Sequence, residues 1–171
     1  VMADGMMSED GDPEKKIIPS LFTKFLTQDL MPYVEAHYRV LTGRENCAIA
    51  GLSMGSMQAA MAAFSYPEKF AWIGLFSGFL RNYIGVEEIA DSHLMQAFAD
   101  VEAFNQNTRL LFRAMGREDS FFTWFMQEDQ LCEDYGLKHV RRVYDGGHDW
   151  NVWRKCAAEF LPMLFRTQEI R

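Results

Sequence analysis

Apolar positions along this chain alternate between two rhythms: short continuous runs, and longer stretches in which they recur every three or four residues. Between 20 and 38, Leu21, Phe22, Phe25, Leu26, Leu30, Tyr33 and Val34 keep helical spacing. Ser20 stands where an N-cap belongs, and Pro32 should kink or divide the helix. After a turn at 42–46 comes the apolar run Cys47-Ala48-Ile49-Ala50, then Gly51-Leu52-Ser53-Met54-Gly55, then helix formers to Phe64. Further strands are predicted at 71–76, 109–115 and 138–144, and further helices at 86–105, 120–135 and 151–166. Ser77-Gly78 and Gly116 close two of these strands, Gly136 suits a helix C-terminal cap, and Pro162 falls late in the last helix. Residues 1–3 read as the tail of a strand, and 4–16 as a polar surface loop. Strand and helix alternate four times with short links, which predicts a parallel sheet with helices on both faces. No repeat or linker divides residues 1–171, so one domain is expected.

The run around Ser53 changes the picture from architecture to chemistry. It is Gly-x-Ser-x-Gly between a strand and a helix, the context of a nucleophile elbow. Small residues are needed because strand and helix approach closely there, and the central residue is held at strained angles with its hydroxyl exposed. A serine hydroxyl needs a base, and the base needs a third group to orient it. In an open parallel sheet such groups gather at the carboxyl ends of the strands. His148 lies in the glycine-flanked loop after the fourth strand, while Glu118 and Asp119 lie just beyond the third. Asp119 is preferred over Glu118, although it could equally cap the helix that follows. Asp149 is too close to His148 in sequence to orient its ring and should cap the last helix instead. His37 and His93 fall in helical stretches and His139 at the far end of a strand, which makes them structural or surface residues. The backbone N–H of Met54, next after the serine, is the expected oxyanion donor.

Composition narrows the partners. The 171 residues are 49% hydrophobic and 24% charged, as in a folded globular domain. A net charge of −7 without a basic cluster disfavours nucleic acid and anionic membrane surfaces. No apolar run approaches the length of a membrane span. Cys47, Cys132 and Cys156 are scattered and odd in number, which argues against a zinc site or a disulfide framework; Cys47 reads as a small buried hydrophobe.

Gly51-Leu52-Ser53-Met54-Gly55-Ser56, Gly116-Arg117-Glu118-Asp119 and Gly147-His148-Asp149-Trp150-Asn151-Val152-Trp153 together resemble the esterase D/feruloyl esterase group of α/β-hydrolases. These are carbohydrate esterases acting on feruloylated or acetylated xylan. The likeness extends through Asp29-Leu30-Met31-Pro32-Tyr33-Val34-Glu35 and the Arg44-Glu45 turn, and so covers nearly the whole chain. The resemblance implies the C-terminal portion of an α/β-hydrolase fold, with Ser53 as nucleophile, Asp119 as acid and His148 as base. It implies a serine carboxylesterase needing no metal or organic cofactor. The substrate expected is a feruloyl ester on plant cell-wall polysaccharide, with acetyl-xylan or an S-formylglutathione-type thioester as alternatives and acyl transfer after them. A reading from another class is a non-catalytic carbohydrate-binding or assembly fragment. A secreted or periplasmic setting is expected over a cytoplasmic one.

The family carries further strands ahead of the point where this sequence starts, including the loop with the second oxyanion donor. The domain is therefore expected to be N-terminally incomplete, the elbow strand to have an unpaired apolar edge, and the chain to work with a companion N-terminal segment or as an oligomer. Phe121, Phe122, Trp124 and Phe125 crowd the helix after the acid, and Trp150 and Trp153 follow the histidine. Phe121, Trp124 or Phe125, Leu131 and Tyr135 keep helical spacing and should face the sheet. Trp150, beside the histidine loop, is the candidate substrate contact.

Overall fold

The structure, a computed structural model, describes residues 1–5, 19–80 and 99–166. Most of the expected polar loop and of the helix at 86–105, with His93, lie outside the described residues. Four parallel strands, β1 (Ala48–Leu52), β2 (Trp72–Phe76), β3 (Leu110–Gly116) and β4 (Val140–Tyr144), lie side by side in chain order. The helices are α1 (Pro19–Lys24), α2 (Met31–His37), α3 (Met54–Ser65), α4 (Val101–Asn107), α5 (Phe122–Tyr135) and α6 (Trp150–Phe160).

Side chains alternate across a strand, so each strand feeds two cores. Ile73, Leu75 and Leu111 pack on one face against α3, Phe104 and Cys132. Trp72, Phe76, Leu110, Phe112 and Ala114 pack on the other against Val152, Cys156 and Phe160 of α6. Every residue of β2 and β3 is buried, while β1 and β4 are covered only in part. Central strands covered on both faces read as continuous apolar runs, which is why both were plain in the sequence. Ala59, Ala60, Ala62 and Ala63 leave α3 narrow enough to be buried on nearly all sides. Gly74 makes room for the other face, because a β-carbon there would lie 2.9 Å from the Phe160 ring.

Several expectations need correction. Residues 1–3 form no strand, and Val1 and Met2 are almost fully exposed. The described first helix already includes Pro19, so Ser20 lies inside its first turn rather than capping it. Pro32 does not divide the helix. Residues Phe25–Leu30 instead widen into a π-helix in which the Met31 N–H bonds Leu26 O, five residues back. The wider turn gives the proline ring room against the preceding carbonyls. The final helix stops at Phe160 and tightens to a 3-10 turn at Leu161–Met163, where Pro162 withholds its N–H. Cys47 is half-buried rather than buried, whereas Cys132 and Cys156 are fully enclosed. Burial pushes the last two thiols up to about 11 and about 12, which makes them inert core residues.

One central position breaks the apolar rule. Arg113 of β3 is 1% exposed and donates to the buried Glu128 of α5 at 2.9 Å and to Asp129 at 2.9 Å. Arg141 of β4 donates to the other oxygen of Asp129 at 2.5 Å, and both guanidinium groups lie over the Phe125 ring. The buried face of α5 is therefore Phe125, Glu128 and Cys132, while Tyr135 is exposed. A carboxylate enters the core here because the Arg113 guanidinium and the Leu80 N–H both donate to it.

His139, just ahead of β4, borders this network: its Nδ1–H faces Leu137 O at 3.0 Å, and Arg113 approaches Nε2 at 3.5 Å. Desolvation, aided by Arg113, lowers its pKa below the usual 6.5, despite the Leu137 carbonyl. The folded state then holds fewer protons than the unfolded one, so this contribution to stability is present above the unfolded value and is lost as pH falls through it. Thermal unfolding should show a falling midpoint between about pH 7 and 5 that flattens in His139→Gln; an identical slope in the variant would exclude His139 as its source. Gly74→Val should lower stability by about 1–3 kcal/mol in urea unfolding; an unchanged midpoint would mean that Phe160 moves aside freely.

Candidate active site

Ser53 sits between β1 and α3 at φ 51°, ψ −122°, outside the regions open to most L-residues. Two contacts hold it there. Its N–H donates to Phe76 O at the end of β2, at 2.9 Å. On the other side, strand and helix meet so closely that a β-carbon on Gly51 would lie 2.0 Å from Gly55 O. Met54 is the first residue of α3, where backbone N–H groups have no intrahelical acceptor, so its N–H is available beside the serine.

The loops after β3 and β4 are stitched together by Arg117 N–H to Tyr144 O and Glu118 N–H to Gly146 O, at 2.7 and 3.0 Å. Gly116 permits this approach, because a β-carbon there would lie 2.2 Å from Gly146 O. Glu118 is left exposed and Asp119 buried. Asp119 Oδ1 accepts the Phe121 N–H at 3.0 Å, and Oδ2 accepts from His148 Nδ1 at 2.8 Å. That fixes the tautomer: Nδ1 carries the proton, and Nε2 accepts from the Ser53 hydroxyl at 2.8 Å. The Asp119 side chain is fully enclosed while that of His148 is 27% exposed, so the line runs from the interior to an open face. Asp149 caps α6, accepting from the Asn151 and Val152 N–H groups. His37 is exposed and stacks on Tyr33. Among the described residues no cluster of histidine, cysteine and carboxylate could hold a metal ion.

Two aromatic rings grip His148 edge-on, Phe121 at 5.4 Å and Trp153 at 5.1 Å. Both are among the aromatics noted after the acid and the histidine, but Phe121 read as a sheet-facing residue and Trp150 rather than Trp153 as the candidate contact. The Phe121 partner Phe79 comes from the turn after β2, at 5.5 Å, and no spacing rule links the two. Trp150 is 58% exposed and touches Trp153, one ring removed from the histidine. Among the described residues β1 pairs only with β2. A groove of about 870 Å³ follows its free edge, lined by Leu26, Val34, Ile49, Ala50, Gly51 and Leu52 among others.

The model of a family described as "Putative esterase" matches residues 12–164. A curated endo-1,4-β-xylanase/feruloyl esterase of Xylanibacter ruminicola is 26% identical over 146 residues, which are 85% of this chain and 18% of that protein. An acetyl esterase of Caldicellulosiruptor saccharolyticus is 21% identical, over 92% of this chain and 68% of its own length. A ferulic acid esterase of Anaeromyces mucronatus, solved with ferulic acid, superposes with a TM-score of 0.67 at 24% identity, over 84% of this chain and 54% of that one. The chain thus spans under a fifth of the first relative and about half of the solved structure. Its four parallel strands flanked by helices are part of an α/β-hydrolase fold.

Ser77, at the carboxyl end of β2, carries two costs at once. Its φ is 46°, and its buried hydroxyl has no hydrogen-bond partner among the described residues. A left-handed L-residue costs about 1–2 kcal/mol, and an unsatisfied buried hydroxyl a similar amount. Ser77→Gly removes both and outweighs the added freedom of the unfolded chain, so stability should rise by about 1 kcal/mol in denaturant unfolding. A loss of stability would mean that the hydroxyl finds a partner in solution.

Proposed function

Since the chain belongs to this esterase family, we propose that it is a serine carboxylesterase working through an acyl-enzyme. The observation that carries the reading is the unbroken hydrogen-bonded line from Asp119 through His148 to a serine held at strained angles. Ser53 Oγ attacks the ester carbonyl carbon and gives its proton to His148 Nε2. Asp119 holds the ring in the tautomer that can accept, and offsets the positive charge as it forms. The Met54 N–H donates to the oxyanion. His148 then passes the proton to the departing alcohol oxygen. A water molecule, deprotonated by the same nitrogen, attacks the acyl-enzyme carbonyl, and the acid leaves as Ser53 regains its proton.

A second oxyanion donor belongs on the far side of the serine, toward the free edge of β1. A companion segment lying along the groove there would supply both a strand partner for β1 and that donor. For the acyl group, a feruloyl ester on plant cell-wall polysaccharide is the substrate we favour. The names of the relatives support it, as does the aromatic setting of His148, which suits a flat phenolic acid. Trp150, exposed beside this setting, would contact the sugar or the phenolic ring. The acetyl esterase relative keeps acetylated xylan as the alternative.

A fluorophosphonate should form one adduct, at Ser53, which disappears in Ser53→Ala; a folded, full-length protein that takes no label would favour a non-catalytic binding role. Asp119→Asn should lower kcat about 10⁴-fold, because the amide favours the wrong histidine tautomer. In parallel assays, methyl ferulate should show the highest kcat/KM against acetylated xylan and a glutathione thioester, and a preference for either of the others would reassign the acyl group.

A further inference from the structure

The buried pair Arg113–Glu128 is absorbed neither by the chemistry above nor by an ordinary account of stability. Replacing such a pair with apolar residues is often neutral or favourable, whereas ionic groups in a core can specify one geometry. Among the described residues, Glu128 holds the backbone of the turn after β2 as well as Arg113: both its oxygens lie 3.0 Å from the Leu80 N–H. That turn touches the site at two points. Gly78 lies flat against the elbow, where a β-carbon would fall 1.3 Å from Ser56 Oγ and 3.1 Å from Ser53 O. Phe79, 2% exposed, meets Phe121 edge-on at 5.5 Å, and Phe121 meets His148 at 5.4 Å. The same Phe121 donates its N–H to Asp119. The turn also contains the strained Ser77, a conformation that persists only where its surroundings enforce it. At its start the Ser77 N–H is tied to Ala114 O at 2.8 Å, and at its end Leu80 is tied to Glu128.

We propose that Glu128, neutralised by Arg113, is a positioning residue for the esterase site: by fixing the Leu80 N–H it seats the turn at 77–80 behind Ser53 and against the aromatic brace of His148. The inference rests on Ser53 and His148 being the reacting groups. A carboxylate in this core needs a partner for its charge, and the buried Arg113 guanidinium donates to it at 2.9 Å. Loosening the turn would shift nucleophile and base by fractions of an ångström, enough to slow attack while leaving the binding surface in place.

The test compares the full-length parent with Glu128→Gln and with the double variant Arg113→Met/Glu128→Leu. The double variant removes both charges and the Leu80 acceptor and is expected to fold; Glu128→Gln keeps one acceptor oxygen. In the double variant kcat should fall roughly 10–100-fold with KM within about threefold, and the amides of residues 77–80 should exchange at least tenfold faster while those of β3 and β4 do not. Glu128→Gln should restore kcat to within about fivefold of the parent and re-protect the turn. A folded double variant with parent kcat, or a turn that exchanges at the parent rate, would overturn the proposal. If the double variant does not fold, Glu128→Gln decides alone: a protected turn with near-parent kcat supports it, and an unprotected turn with parent kcat overturns it. A parent without Ser53-dependent turnover would count against the esterase reading, while the exchange data would still decide whether Glu128 fixes the turn.

Discussion

At Gly51 the end of β1 and the first turn of α3 come closer than any side chain would allow, with Gly55 O 2.0 Å from where a β-carbon would stand. The rest of the site depends on that approach. It forces the reversal at Ser53 to be tight and sets its backbone at a positive φ, with the hydroxyl within 2.8 Å of His148. It also brings the alanine face of α3 down onto the sheet, so one contact couples the core to the chemistry. A larger residue at 51 would separate strand from helix and dissolve both arrangements together.

A second constraint works at the other strands. The loops after β3 and β4 share backbone hydrogen bonds through Gly116 and Gly146, and Asp119 is enclosed where they meet. Its two oxygens do different work: one closes the turn into α5 and the other faces His148. The helix-cap reading is corrected: the N-cap of α5 is Phe121, without a side-chain cap, and Asp119 closes the turn two residues ahead of it while its other oxygen faces His148. His148 is framed by this turn on one side and by α6, capped at Asp149, on the other.

Much of this was legible in the sequence because the signals are local. Glycines around Ser53 and His148, continuous apolar runs for β2 and β3, and the glycine at 136 each act through their own backbone. Contacts between elements were not legible. Phe79, Phe121 and Trp153 converge from three separate segments, and each alone looks like packing. Glu128 was invisible for a different reason: a glutamate in a helix reads as a solvent-facing residue unless the arginine that neutralises it, on another element, is already known. That hidden pair also rotated the expected buried face of α5 away from Tyr135. Pro32 misled because the rule that proline breaks helices assumes an α-turn ahead of it, and here the turn is a π-turn.

The sheet is laid down in the order in which its strands occur along the chain. Each strand is therefore hydrogen-bonded to the one before it in the chain, and β1, α3 and β2 are neighbours in sequence as well as in space. Ser53 and His148, however, stand 95 residues apart, and the histidine loop follows the last strand to join. The line from Asp119 to Ser53 is thus completed by the last strand and its loop: without β4 in place the Ser53 hydroxyl has no imidazole within reach.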